Sequence, residues 1–146
     1  MIERLDYIAT NGAAIASMLA VKKDITTIDK RFQAVLETRV SQINGCAYCV
    51  DLHIRQARQA GETEQRLDCL VVWRETAFFT PAERAALAWA EALTHVADEG
   101  APQELFDALS EHFSDAEIVD LTLIIAQINA WNRIAIGFAH RPDARG

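Results

Sequence analysis

The apolar residues follow the helical period along nearly the whole chain, and no segment carries the sustained alternation of a β-strand. This pattern predicts an all-α, single-domain bundle of about six to seven helices. The helices are expected at about residues 11–23, 29–43, 46–60, 63–73, 80–96, 102–112 and 114–137. With 146 residues, the chain is expected to form one domain, residues 1–146.

Local sequence signals mark several of the helix ends. Thr80 is followed by Pro81 and, three residues after the cap, by Glu83, which is the pattern of a capping box, and a second box begins at Ser114. Gly45 can adopt the left-handed conformation that ends a helix just before the next one starts. The final segment, 114–137, is apolar on several faces and is therefore predicted to be the buried centre of the bundle.

Composition and charge exclude several classes of protein. The net charge is −7, from 14 basic and 21 acidic residues, and no basic run stands out, so a nucleic-acid partner is not expected. Residues 1–6 are too polar for a signal peptide, and the apolar region 118–131 is too short and too interrupted for a membrane span. Three cysteines do not form a secreted disulfide framework. We therefore expect a cytoplasmic protein without a membrane partner.

The most informative cluster of side chains is formed by Cys46, Cys49 and His53. Their spacings of three and four residues place them on one face of a helix. Two thiols so close can form and reopen a disulfide, and a histidine one turn from Cys49 can exchange a proton with it. A helix N-terminus favours the thiolate, which argues for Cys46 as the attacking thiol, whereas the histidine argues for Cys49. The residues alone leave this choice open.

Three other interpretations of the cysteine pair compete with catalysis. A CxxC pair can hold zinc together with two further ligands, but the remaining His95, His112 and His140 are isolated, and there is no second CxxC. The cysteines could be inert core residues, as Cys69 is expected to be. They could also act as a redox switch without catalysis, or mark an oligomeric binding module.

With these residues identified, the chain resembles a known family. The segment SQINGCAYC, residues 41–49, followed by His53, resembles the alkylhydroperoxidase D-like core of the carboxymuconolactone decarboxylase superfamily. Residues 73–76, 79–81 and 128–133 are also similar to its small single-domain members. The resemblance extends over about residues 11–138, and the core with the cysteines and histidine occupies about 29–96. The decarboxylase branch is the poorer match, because its members generally lack the paired cysteines.

The resemblance implies an all-helical homo-oligomer, a trimer or a hexamer, with a thiol peroxidase-like activity that needs no cofactor and no metal. An organic hydroperoxide would be reduced to an alcohol as part of antioxidant defence, and a disulfide would be left on the enzyme. By analogy with the family, Cys49 attacks, Cys46 resolves and His53 carries the proton. A protein or small-thiol reductant, for example a lipoyl-bearing adaptor protein, would then reopen the disulfide.

One position departs from the family pattern. The glutamate of the family's proton relay lies about three helical turns before the first cysteine, where this chain has Ala34. Glu37 lies one turn nearer to Cys46. Two interpretations follow from the sequence: Glu37 takes over the relay, or it is an ordinary exposed residue on a helix.

Overall fold

A computed structural model describes residues 3–146, which contain nine α-helices, two 3-10 helices and no strand. The α-helices are α1 (Tyr7–Thr10), α2 (Gly12–Ala20), α3 (Lys30–Asn44), α4 (Ala47–Gln59), α5 (Glu64–Asp68), α6 (Pro81–Thr94), α7 (Val96–Glu99), α8 (Gln103–Ser110) and α9 (Asp115–Gly137). The 3-10 helices are Val21–Asp24 and Leu70–Glu75. The all-α prediction is confirmed, although short helices raise the count above the six to seven expected.

The largest departure from the predicted helices is at 63–73. Helix α5 ends at Asp68, and a 3-10 helix with a non-helical Val72 follows. In this segment Leu70 and Trp73 are buried, whereas Val71 and Val72 are exposed. A 3-10 helix has three residues per turn, so it brings Leu70 and Trp73 onto one face. Burial of both Leu70 and Trp73 in the core therefore favours a 3-10 helix here, where the sequence pattern predicts an α-helix.

Helix α3 lies at the centre of the bundle and packs against α4, α6 and α9. Nine of its 15 residues are buried. Its apolar side chains, with those of the neighbouring helices, form the main core, which includes Val35, Leu36, Val40, Leu87, Leu109, Leu121 and Ile125. Helix α3 therefore places the residues that precede the cysteine motif in the interior of the protein.

Helix α9 is less central than its sequence predicts. It buries one face, while Val119 and Leu123 on other faces are 57% and 42% exposed. The prediction that this helix is the buried centre of the bundle is therefore wrong, since α3 holds that position. Within residues 3–146, no helix combines the length and the apolar character that crossing a membrane requires.

The turn between α3 and α4 brings the cysteines to the interior. Gly45 ends α3 in the left-handed conformation, with φ of 71°, as the sequence predicts. A buried polar network supports this turn: Asn44 donates to the side-chain oxygen of Asn132, and Asn132 donates to the hydroxyl of Ser41, both at 2.9 Å. Asn132 is fully buried, so these hydrogen bonds fix the turn against α9. Both predicted capping boxes are also present, at Thr80 and Ser114.

Candidate thiol active site

Cys46 and Cys49 are joined as a disulfide at the start of α4, with their Cα atoms 5.3 Å apart. Cys46 is the N-cap residue of this helix, one position before the first turn in which the sequence places it. Its sulfur accepts a hydrogen bond of 3.4 Å from the backbone N–H of Cys49. Both cysteines are buried, at 1% and 3% exposure. The disulfide therefore lies at the positive end of the α4 dipole, below the protein surface.

His53 lies one turn after Cys49 on α4 and is also buried. Its Nδ1 is 2.9 Å from Oε2 of Glu37 and 2.8 Å from Oε1 of Gln56. Both partners accept hydrogen bonds, so Nδ1 carries the proton, and Nε2 of the neutral ring is the nitrogen that can accept one. The sequence spacing predicts proton exchange between His53 and Cys49, but in the described residues the hydrogen bonds of His53 are to Glu37 and Gln56. The disulfide leaves Cys49 without a thiol proton to donate.

Glu37 is a buried residue of this site, with only 6% of its surface exposed. One carboxylate oxygen contacts His53, and the other accepts a hydrogen bond of 2.6 Å from Nζ of Lys22. Burial by itself raises the pKa of Glu37. The hydrogen bond from His53, the positive charge of His53 when its ring is protonated, and the charge of Lys22 together outweigh burial and hold the pKa of Glu37 below its ordinary value. Glu37 is therefore an anion at neutral pH.

The interpretation of Glu37 as an exposed helix residue is wrong. The structure brings Glu37 to His53, whereas Ala34, at the family's glutamate position, packs with Ala57 and Leu67 in a separate small cluster. Lys22 was not expected in the site. The sequence contained a weak indication of this position, since Lys22 continues the helical spacing of side chains that begins at Ile15.

A cavity of about 270 Å³ lies against Cys49, and we name it the Cys49 cavity. His53, Glu37 and Lys22 also line it. The rest of its wall is mainly apolar and includes Ile15, Leu19, Ile25, Leu52, Ile124, Ile128 and Trp131. The cavity therefore combines one sulfur and a chain of proton-carrying groups with a surface suited to an apolar molecule.

Helices α1 and α2 cover the Cys49 cavity without burying any residue of their own. Their contacts with the rest of the protein include a stacked Tyr7–Phe138 ring pair, a distance of 2.9 Å between the Tyr7 hydroxyl and His140 Nδ1, and a hydrogen bond from the side chain of Gln127 to the carbonyl of Met18. A cover with little buried apolar surface opens at low free-energy cost.

A second cavity, of about 560 Å³, lies against Cys46, and we name it the Cys46 cavity. Its lining is more polar than that of the Cys49 cavity and combines Ala47, Val50 and Ile54 with Ser41, Gln42, Asp51, Arg55, Arg58 and Arg145. Arg145 and Arg55 both donate to the carboxylate of Asp51. These contacts hold the pKa of Asp51 below its ordinary value, chiefly through the hydrogen bond from Arg145. The two cysteines of one disulfide therefore line two chemically different cavities.

The four side chains predicted as site residues lie together: Cys46 and Cys49 in the disulfide, and Glu37 bonded to His53 beside Cys49. A metal centre receives no support from the arrangement of ligands. Within residues 3–146, no group of three or more His, Cys, Asp or Glu side chains is placed to hold a metal ion.

Comparison with known proteins identifies the family. The model of the carboxymuconolactone decarboxylase family matches residues 12–92. A protein of Bacillus subtilis (strain 168), YdfG, is 41% identical over 99% of this chain and all of its own length. The chain is an AhpD-like member of the carboxymuconolactone decarboxylase family. The resemblance seen in the sequence is thereby confirmed.

Solved structures of similar proteins agree with this family. ATU0492 from Agrobacterium tumefaciens, for which a role as the antioxidant defence protein AhpD has been proposed, is 39% identical and has a TM-score of 0.94, covering 99% of this chain and 100% of its own. A peroxidase-related protein from Silicibacter sp. TM1040 is 26% identical with a TM-score of 0.78, covering 88% of this chain and 70% of its own. The AhpD-like fold and the Cys46–Cys49 pair fit an antioxidant type of function.

Proposed function

We propose that the protein is a thiol-dependent peroxidase that reduces organic hydroperoxides to alcohols through the Cys46–Cys49 pair. One observation carries the proposal: Cys49, already paired with Cys46, lines an apolar cavity together with a His53 that is hydrogen-bonded to a buried Glu37. Each part of this arrangement has a role in peroxide chemistry.

In the first step, the Cys49 thiolate attacks the terminal oxygen of the hydroperoxide. The O–O bond breaks, Cys49 becomes a sulfenic acid, and the alkoxide leaves with the bonding electron pair. His53 takes the proton from the Cys49 thiol through Nε2 and gives it to the alkoxide, so that the alcohol is released. Glu37 accepts the Nδ1 hydrogen bond throughout, which orients the ring and balances its transient positive charge.

In the second step, the Cys46 thiolate attacks the sulfur of the Cys49 sulfenic acid. The S–S bond forms, and the hydroxyl group leaves as water after it gains a proton. The disulfide of the structure corresponds to the product of this step. The N-cap position of Cys46 supports its role here, because a helix N-terminus favours a thiolate.

The wall of the Cys49 cavity favours an organic over an inorganic peroxide. Most of its lining is aliphatic or aromatic, and apolar surface binds the hydrocarbon part of an alkyl or aryl hydroperoxide.

As further parts of the proposal, the protein acts in the cytoplasm as a single-domain homo-oligomer, a trimer or hexamer. The exposed apolar side chains of Val119 and Leu123 on α9 are suitable for a subunit contact.

The test is a stopped-flow reaction of the reduced protein with cumene hydroperoxide and with hydrogen peroxide, with free thiols counted before and after. Two thiols are expected to disappear, and faster with cumene hydroperoxide. Cys49→Ser should abolish the reaction. Cys46→Ser should leave a sulfenic acid on Cys49 that dimedone traps. Cys69→Ser is the matched control, because Cys69 is a free cysteine that lines neither the Cys46 cavity nor the Cys49 cavity.

Undiminished peroxide consumption by a Cys46→Ser, Cys49→Ser double variant would refute the proposal. A redox switch without catalysis would give a different result: the disulfide would form once, and no thiol reductant would sustain further loss of peroxide. Continued turnover in the presence of a thiol reductant therefore separates the enzyme from the switch.

A further inference from the structure

The two cysteines of the disulfide line two cavities that share no lining residue. Cys49 lines the smaller, mainly apolar one, and Cys46 lines the larger, more polar one, which is also the more open to solvent. A molecule in the Cys46 cavity therefore lies beside Cys46 and not beside Cys49. The two halves of a redox cycle can then use separate entrances.

The Cys46 cavity is positively charged in an otherwise acidic protein. Three arginines and one aspartate line it, whereas the whole chain has a net charge of −7. Arg55 and Arg145 share the single carboxylate of Asp51. Arg58 is paired with Glu64, which does not line the cavity. The arginine side chains are between 43% and 52% exposed, so donors remain available to a ligand.

From these observations we infer that the disulfide is reduced from the Cys46 cavity by a small thiol that carries carboxylate groups. This inference rests on the proposed function, since it supplies the reductant for the second half of that cycle. Arginine side chains bind carboxylates through paired N–H···O hydrogen bonds, and they hold the reductant with its sulfur toward Cys46. Cys46 is only 1% exposed, which favours a small thiol over a broad protein surface.

The chemistry consumes two molecules of the thiol. The thiolate of the first attacks the sulfur of Cys46, the Cys46–Cys49 bond breaks, and Cys49 leaves as a thiolate into its own cavity, beside His53. A mixed disulfide remains on Cys46. The thiolate of the second molecule attacks the reductant's sulfur, which releases Cys46 as a thiolate and the oxidised reductant as its own disulfide. Two electrons pass to the protein, and both cysteines return to the reduced state.

The first test measures reduction of the oxidised protein by mercaptosuccinate, which carries two carboxylates, and by neutral 2-mercaptoethanol, with rates compared per thiolate. We expect mercaptosuccinate to be faster, although the net charge of the protein would repel it. Arg55→Gln combined with Arg58→Gln should lower the rate of reduction by mercaptosuccinate about fivefold at low salt. The same variant should change the rate of reduction by 2-mercaptoethanol less than about twofold. Lys23→Gln with Lys30→Gln is the control of equal charge change, at exposed residues that line neither cavity.

The second test identifies the entrance used, in variants that keep one cysteine of the pair and carry Cys69→Ser. Modification by dianionic 5,5′-dithiobis(2-nitrobenzoate) is compared with modification by neutral 2,2′-dithiodipyridine. The anionic reagent should be favoured at Cys46 and disfavoured at Cys49. Equal preference at the two cysteines, or an equal loss of mercaptosuccinate rate in the lysine control, overturns the inference. Neither assay contains a peroxide, so the outcome is independent of the peroxidase test.

Discussion

Replacing Glu37 by Gln removes a buried negative charge beside His53 and keeps the size and shape of the side chain. The side chains of Glu37 and His53 are each 8% exposed, so solvent screens their interaction little. At 2.9 Å, the contact has the length of a charge-assisted hydrogen bond. A hydrogen bond to a charged group contributes about 1.5 to 3 kcal/mol, and about 1.4 kcal/mol corresponds to a tenfold change in rate. Glu37→Gln should therefore slow peroxide reduction about 10- to 150-fold.

The assay is single-turnover oxidation of the reduced protein by cumene hydroperoxide, followed by tryptophan fluorescence, because Trp131 lines the Cys49 cavity. Glu62→Gln is the matched control. Glu62 is a buried carboxylate paired with Arg31 and Arg66, and it lines neither cavity. A rate for Glu37→Gln within about twofold of the original protein would refute the role of Glu37, as would an equal loss in folded Glu62→Gln.

Lys22→Met should slow the oxidation no more than about fivefold, because the Lys22 side chain is 44% exposed and such ion pairs contribute at most about 1 kcal/mol; a loss as large as that of Glu37→Gln would contradict this. Burial raises the pKa values of Glu37, Glu83 and Glu91, but their hydrogen bonds and cationic partners bring these values below the ordinary 4.5. The stability that these carboxylates contribute should therefore be complete above about pH 4.5 and fall as the pH drops through their lower native values, as urea unfolding at several pH values would show. Asn132→Ala should lower the free energy of unfolding by about 2 to 3 kcal/mol, because it empties a fully buried position and removes one hydrogen bond each from Asn44 and Ser41; an unchanged urea midpoint would contradict this.

The features that the sequence predicted well are those fixed by neighbouring residues. The spacing of Cys46, Cys49 and His53, the capping boxes and the stop at Gly45 all depend on contacts within a few residues, so they are visible in the sequence. The start of α4 differs by one residue, since Cys46 is the cap and not part of the first turn.

The features that the sequence could not predict depend on how distant helices pack. Whether Glu37 or position 34 faces His53 is set by the register of α3 against α4, and neighbouring residues carry no information about it. The place of Lys22 is set by the path of the chain between α2 and α3. The Cys46 cavity likewise brings Arg145 from the C-terminal end to Asp51 on α4, 94 residues earlier.

The sulfur of Cys46 is also the acceptor that caps α4. A thiolate accepts the capping hydrogen bond more strongly than a disulfide sulfur does, and its charge is favoured at a helix N-terminus. Folding and reduction are then linked in one thermodynamic cycle. The thiolate stabilises the folded, reduced protein, so the folded disulfide is a stronger oxidant than the same disulfide in the unfolded chain. Each 1.4 kcal/mol of this stabilisation raises the reduction potential by about 30 mV. The end of one helix thus sets part of the reduction potential of the protein.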